Sequence, residues 1–134
     1  MPARLDVRER FLRVLKHTIN PLALRAARSG RGPFSIIRHV GRKSGAVYET
    51  PLILAEVPQG FVAELTYGEN VAWYRNVVAA HGRCTVLHGG ATFAIDRMDP
   101  LETAAGLKAF GAPRNLVLRL LSRHEFRLLH VAGR

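Results

Sequence analysis

From Phe34 onward the hydrophobic period shortens and turn residues cut the chain every few positions. This constrains the fold more than any other feature. Phe34 to Val40 reads as a strand, Gly41 to Gly45 as a turn, and Val47 to Glu56 as a second strand with Pro51 marking an edge or a bulge. Pro58-Gln59-Gly60 makes a hairpin turn into a third strand, Phe61 to Thr66. A helix over about 70–81 follows, capped by Asn70, carrying Trp73, Tyr74, Val77 and Val78, and closed by Gly82. Cys84 to His88 and Ala91 to Arg97 are strands joined by Gly89-Gly90, a loop length typical of hairpins. Asp99-Pro100 opens a predicted helix over about 101–109, Pro113 another over about 114–122, and Glu125 to Val131 is a last strand. Adjacent strands in runs, interrupted by single helices, argue for a mainly β (α+β) domain whose antiparallel sheet closes on itself, and against a parallel doubly wound sheet.

Ahead of this region, Leu5, Phe11, Leu12, Leu15 and Ile19 recur at helical spacing, and Asn20-Pro21 starts a second helix that runs to about Arg28. The 134 residues suit one domain: a basic helical region over 1–30, a strand-rich core over 34–98 and a C-terminal part over 99–134. Hydrophobic residues make up 48% of the chain, enough to pack a core. Cys84 is the one cysteine, which excludes an internal disulfide and favours a reducing, cytoplasmic setting. No apolar run approaches the roughly 20 residues that span a bilayer, and the charged N-terminus does not read as a secretory signal.

The net charge of +10 is concentrated at one end. Residues 1–46 hold 11 Lys/Arg against 2 Asp/Glu, while residues 47–134 hold 9 against 8. Such an excess points to an anionic partner: a phosphorylated cofactor, an anionic lipid surface or nucleic acid. Nucleic acid is the weakest of these, because the aromatics are not interleaved with the basic residues and no recognition motif is present. The basic amphipathic stretch 5–28 suits peripheral contact with the inner face of an anionic membrane.

The turn Gly41-Arg42-Lys43-Ser44-Gly45 is the best local candidate for an anion site. Its glycines permit positive φ and close ligand approach. Its successive N–H groups can form a nest, and Arg42 offers a fork beside the point charge of Lys43. It is not a Walker loop, because the glycine spacing is wrong and a strand, not a helix, follows. Taken alone, it reads equally well as an exposed hairpin turn.

Val40-Gly41-Arg42-Lys43-Ser44-Gly45, then Thr50-Pro51-Leu52, then Trp73-Tyr74-Arg75-Asn76 form an ordered set. Together with Asn20-Pro21 and Thr66-Tyr67-Gly68, this set resembles the deazaflavin-dependent nitroreductase family of actinobacteria, over about residues 20–98. The resemblance implies a split β-barrel of the flavin-reductase type and a pocket for the deazaflavin coenzyme F420, with FMN as the alternative. It implies hydride transfer to an electron-poor acceptor such as a quinone or nitroaromatic. By the same resemblance Arg42, Lys43 and Ser44 face the phosphate and acidic tail, and Thr50, Pro51 and Leu52 line the ring. Leu65, Thr66, Tyr67 and Gly68 approach the ring by backbone, and Trp73, Tyr74 and Asn76 flank the cofactor from the helix. Tyr67 and Tyr74 are the candidates for a hydrogen bond to substrate or a proton donor. Oligomeric state stays open, although split barrels of this size often dimerise.

Two features depart from that pattern or bear a plainer reading. Relatives carry a basic residue soon after the turn, whereas this chain has Tyr48-Glu49; strand alternation turns Glu49 away from Tyr48 and Thr50. Trp73 on a short helix also reads as a packing residue, and Asn76 as one that fixes a loop. The six histidines share no metal-ligand spacing, Cys84 has no CxxC partner, and no Gly-x-Ser-x-Gly elbow is present.

Overall fold

Three hairpins and a returning strand build one sheet. The computed structural model describes residues 25, 34–65, 68–112, 114 and 125–134. Strands β1 (Ser35–Val40) and β2 (Val47–Leu52) are joined by the Gly41–Gly45 turn. Strands β3 (Ala55–Val57) and β4 (Gly60–Glu64) flank Pro58-Gln59. Helix α1 (Ala72–Ala79) precedes β5 (Cys84–His88) and β6 (Ala91–Leu101), which turn at Gly89-Gly90 with φ of 56° and 81°. Helix α2 (Thr103–Phe110) and β7 (Phe126–Val131) complete the described elements. The helices predicted over 5–17, 20–28 and 114–122 lie, but for Arg25 and Arg114, outside the described residues, as do Thr66 and Tyr67.

All neighbouring strands are antiparallel, in the order β2-β1-β5-β6-β7-β4-β3. The two edge strands, β2 and β3, are consecutive in the chain and separated by Ile53-Leu54 alone. From Leu52 to Ala55 the backbone reaches about 11 Å at most. Seven strands laid flat would hold their edges about 29 Å apart. The sheet must therefore curl until its edge strands come close at that end, closing on itself as the strand pattern predicts and forming the split barrel that the resemblance implies.

The core fills that curl. Ile37, Phe61, Ala63, Val86, Ile95 and Leu129 point inward and meet Trp73 and Val77 of α1. Val62, one residue out of phase with Phe61 and Ala63, instead joins Ala55, Phe126 and Leu107 of α2. Gly106 lets α2 lie directly on Phe126, because a Cβ there would overlap the ring.

Three expectations need correction. The predicted strand Val47 to Glu56 is two strands on opposite edges, because Ile53-Leu54 carries the chain across the seam. Asp99-Pro100 does not open a helix; both residues pair with β7, and α2 starts at Thr103. Pro100 is tolerated because β5 pairs only with Ala91 to Ile95, so beyond that point one side of β6 needs no N–H donor. The residue capping α1 is Val71, with no side-chain cap bond, and not Asn70.

Candidate functional site

The β1–β2 turn is held by its own backbone. Gly41 N donates to Ala46 O at 2.7 Å and Gly45 N to Gly41 O at 2.9 Å, with Gly45 at φ 72°. A Cβ at Gly41 would sit 2.6 Å from Ser44 Oγ and 2.8 Å from Tyr48 Cε2, so only glycine lets Tyr48 fold back over the turn. Ser44 Oγ accepts from Ala46 N at 3.2 Å and lies 3.2 Å from Tyr48 Oη. These bonds narrow the expected anion nest. The amides of Gly41, Arg42, Gly45 and Ala46 are used inside the protein, leaving those of Lys43 and Ser44 without partners among the described residues.

Helix α1 packs on β1 and carries Asn76 against the turn. Asn76 Oδ1 accepts twice from Arg42, from its backbone N at 3.1 Å and from Nη1 at 2.8 Å. The remaining guanidinium donors of Arg42 have no partner among the described residues, and the side chain is exposed. On its other end, Asn76 Nδ2 lies 2.9 Å from His39 Nδ1, and His39 Nε2 lies 2.9 Å from Thr50 Oγ1. His39 and Asn76 are each only 4% exposed. Burial lowers the His39 pKa below its ordinary 6.5. The β1–β2 register explains the grouping: His39 is opposite Tyr48 and Ile37 opposite Thr50, so all four share one face. The His39 ring stacks on Tyr48 with centroids 6.0 Å apart.

Together these residues frame an open groove of about 420 Å³ between the turn, β2 and the start of α1. This volume is in the range of small-ligand sites. The groove gathers Arg42, Lys43, Ser44, Thr50 and Asn76 from the sequence-predicted set. It adds His39 and Tyr48, which no local motif signals. Glu49 borders it, but its carboxylate reaches Arg38 Nη2 at 3.5 Å on the opposite face of the hairpin, as alternation predicts.

The other predicted residues are elsewhere. Trp73 is buried in the core beside Leu54, Leu65 and Val77, with Leu52 packed against the same cluster. Pro51 is half-buried in β2, and Gly68 donates its N–H to Leu65 O at 3.0 Å. Tyr74 is two residues from Asn76, hence about 200° around the helix. Its hydroxyl accepts from Arg127 Nε at 3.1 Å, and it lines a smaller cavity of about 240 Å³ with His81, Met98 and Pro100.

One further constellation imitates a hydrolytic triad. Ser35 Oγ is 2.7 Å from His88 Nδ1, and His88 Nε2 is 3.5 Å from Glu56 Oε2. Ser35 is fully buried, so no substrate carbonyl reaches Oγ; its bond to His88 satisfies polar atoms between β1 and β5, with the exposed Glu56 of β3 beyond. Cys84 is likewise unsuited to nucleophilic work: burial pushes its thiol up to about 12.

No protein-family model and no curated protein matches the sequence. Solved structures do match its fold. One described as an F420-H2 dependent reductase (FDR-A) aligns with a TM-score of 0.55 at 18% identity, over 73% of this chain and 94% of that one. A structure described as a domain-swapped dimer aligns at 0.57 and 18%, over 92% and 96% of the two chains. The protein Atu2129 of Agrobacterium tumefaciens, of unknown function, aligns at 0.51 and 16%, over 99% of this chain and 60% of its own. At these identities the likeness is one of fold, and the fold is the antiparallel split barrel that the F420-H2 dependent reductase also adopts.

Proposed function

We propose that this chain is an oxidoreductase that binds the deazaflavin coenzyme F420 and delivers hydride to an electron-poor acceptor of the quinone or nitroaromatic kind. The observation that carries the reading is the groove in which Arg42, held by Asn76, stands with Lys43 beside the hydroxyls of Thr50 and Tyr48. A ligand with one anionic end and one flat end fits such a place. A fold shared with a reductase described as F420-H2 dependent adds support.

The reduced coenzyme supplies the hydride when bound, and the protein supplies binding and orientation. Arg42, Lys43 and Ser44 take the phosphate and acidic tail. Thr50, with Pro51 and Leu52 of the same strand, orients the ring, and the family resemblance assigns Leu65, Thr66, Tyr67 and Gly68 to approach it by backbone. Trp73 backs the site from the core, and Asn76 sets Arg42. Tyr67 is the first candidate for a hydrogen bond to the acceptor; Tyr74 has its hydroxyl engaged by Arg127. A cytoplasmic homodimer, touching anionic membrane through residues 1–30 where quinones reside, completes the proposal.

Titration with oxidised F420, followed by its fluorescence, tests the reading. Binding in the micromolar range is expected, and Arg42→Ala should weaken it about tenfold or more, the worth of one charge-assisted contact. No binding at tens of micromolar would sink the proposal. Preferential binding of FMN would replace it with the flavin reading.

A further inference from the structure

A donor inventory fixes every proton in the chain of contacts that runs under the groove. Asn76 Oδ1 faces two N–H donors of Arg42, at 3.1 and 2.8 Å, so the amide cannot be turned end for end without setting N–H against N–H. Its Nδ2 must then donate to His39 Nδ1, which must be a bare acceptor. A neutral imidazole with an unprotonated Nδ1 carries its proton on Nε2. Nε2–H donates to Thr50 Oγ1 at 2.9 Å. The Thr50 oxygen is therefore an acceptor toward the protein, and its own proton has no partner among the described residues. Thr50 lines the groove.

We propose that His39 is a positioning residue that presents the Thr50 hydroxyl as a hydrogen-bond donor to the groove's ligand, favouring one that places an acceptor atom, a carbonyl or phosphate oxygen or a bare ring nitrogen, against Thr50. The same amide that orients His39 also holds Arg42. The groove thus offers one preset neutral donor and one preset cation, wired through Asn76. A ligand that presents only donors at the Thr50 position can use just the second lone pair of Oγ1 and leaves the Thr50 proton unpaired, so it binds less well than one that presents an acceptor. The identity of the ligand as F420 rests on the function proposed above; the polarity of the chain does not.

Two measurements separate those claims. Nitrogen-15 NMR of the histidine rings in the ligand-free protein at pH 7.5 reads the tautomer directly. His39 should show a protonated Nε2 and a bare Nδ1; an Nδ1–H tautomer or an imidazolium overturns the proposal whatever the coenzyme. F420 titration of variants reads the consequence. Thr50→Val and His39→Phe should each weaken binding about tenfold. The double variant should be no weaker than His39→Phe alone, because losing His39 already leaves the Thr50 hydroxyl unoriented. His39→Gln, whose amide can accept from Asn76 and donate to Thr50, should remain within about threefold of the wild type, which also guards against a His39→Phe protein that fails to fold. Full binding by Thr50→Val, or additive losses in the double variant, overturns the proposal. If the wild type binds no F420, the coenzyme assignment falls and the tautomer alone decides the wiring.

Discussion

The two faces of helix α1 carry similar chemistry to different ends. On one face, Asn76 meets Arg42 and His39 beside the larger groove. On the other, Tyr74 meets Arg127 beside the smaller cavity. Arg127 engages all three of its nitrogens: Nε donates to Tyr74 Oη, Nη1 to Phe126 O at 3.0 Å and Nη2 to Glu69 Oε1 at 2.8 Å, and its guanidinium lies 5.3 Å from the Tyr74 ring centroid. Arg42 has one side-chain partner, a neutral amide, and keeps its remaining donors exposed. An arginine closed by a carboxylate and a carbonyl ties β7 to the segment before α1. An arginine steered by an amide alone is oriented yet unneutralised, and that is what an anion site requires. The lesson is that leftover hydrogen-bonding capacity, more than the presence of charge, separates a binding face from a structural one.

The sharpest way to break the contrast is at Asn76. Asn76→Leu removes two acceptor bonds and one donor bond at a buried position and leaves His39 Nδ1 bare in the core. A stability loss of about 2–3 kcal/mol is expected in urea unfolding, with F420 affinity falling at least tenfold. Tyr74→Phe is the matching change on the opposite face. It should lower stability by about 1 kcal/mol, because Arg127 keeps its other two partners, and should leave F420 affinity unchanged. Equal effects of the two variants on affinity would erase the distinction between the faces.

The two faces were also unequally legible in the sequence. The turn 41–45 and the hairpins were readable because glycine pairs and period-2 alternation are local signals, and they survive into the structure. Asn76 was readable as a loop-fixing residue because a polar side chain on a short apolar helix needs a partner. His39 was not: nothing near it in the chain marks it, and its role arises from the β1–β2 register and from a helix residue 37 positions away. The seam at Ile53-Leu54 escaped for a related reason, since two apolar residues carry no turn chemistry while the crossing is dictated by closure of the sheet. Pro100 misled because Asp-Pro suits a helix start; only the end of β5 pairing at Ile95 shows that a strand without a donor is tolerable there. Tyr74 was grouped with Asn76 by adjacency in the motif, whereas helical rotation sends them to opposite sides.

The smallest expected effect sharpens the comparison through pH. The groups that face His39 are Asn76 from α1, Tyr48 and Thr50 from β2 and, beyond Asn76, the Arg42 cation; Glu49 turns its carboxylate to Arg38. Burial holds its pKa below 6.5, so the native protein resists a proton that the unfolded chain accepts. Unfolded molecules then bind more protons than folded ones below about pH 6.5, and the stability contributed by neutral His39 is full above that pH and declines as pH falls toward the folded pKa. Urea unfolding at pH 7.5 and 6.0 should show a larger loss for the wild type than for His39→Gln. At pH 6.0 the unfolded chain takes up only part of one proton at this position, so the difference stays below about 1 kcal/mol. F420 affinity should hold over the same interval in both proteins, because folded His39 resists the proton and keeps accepting from the amide that steers Arg42. A parallel acid loss in both proteins would mean that folded His39 takes up the proton as readily as the unfolded chain does, and that its Nδ1 is not held bare by Asn76.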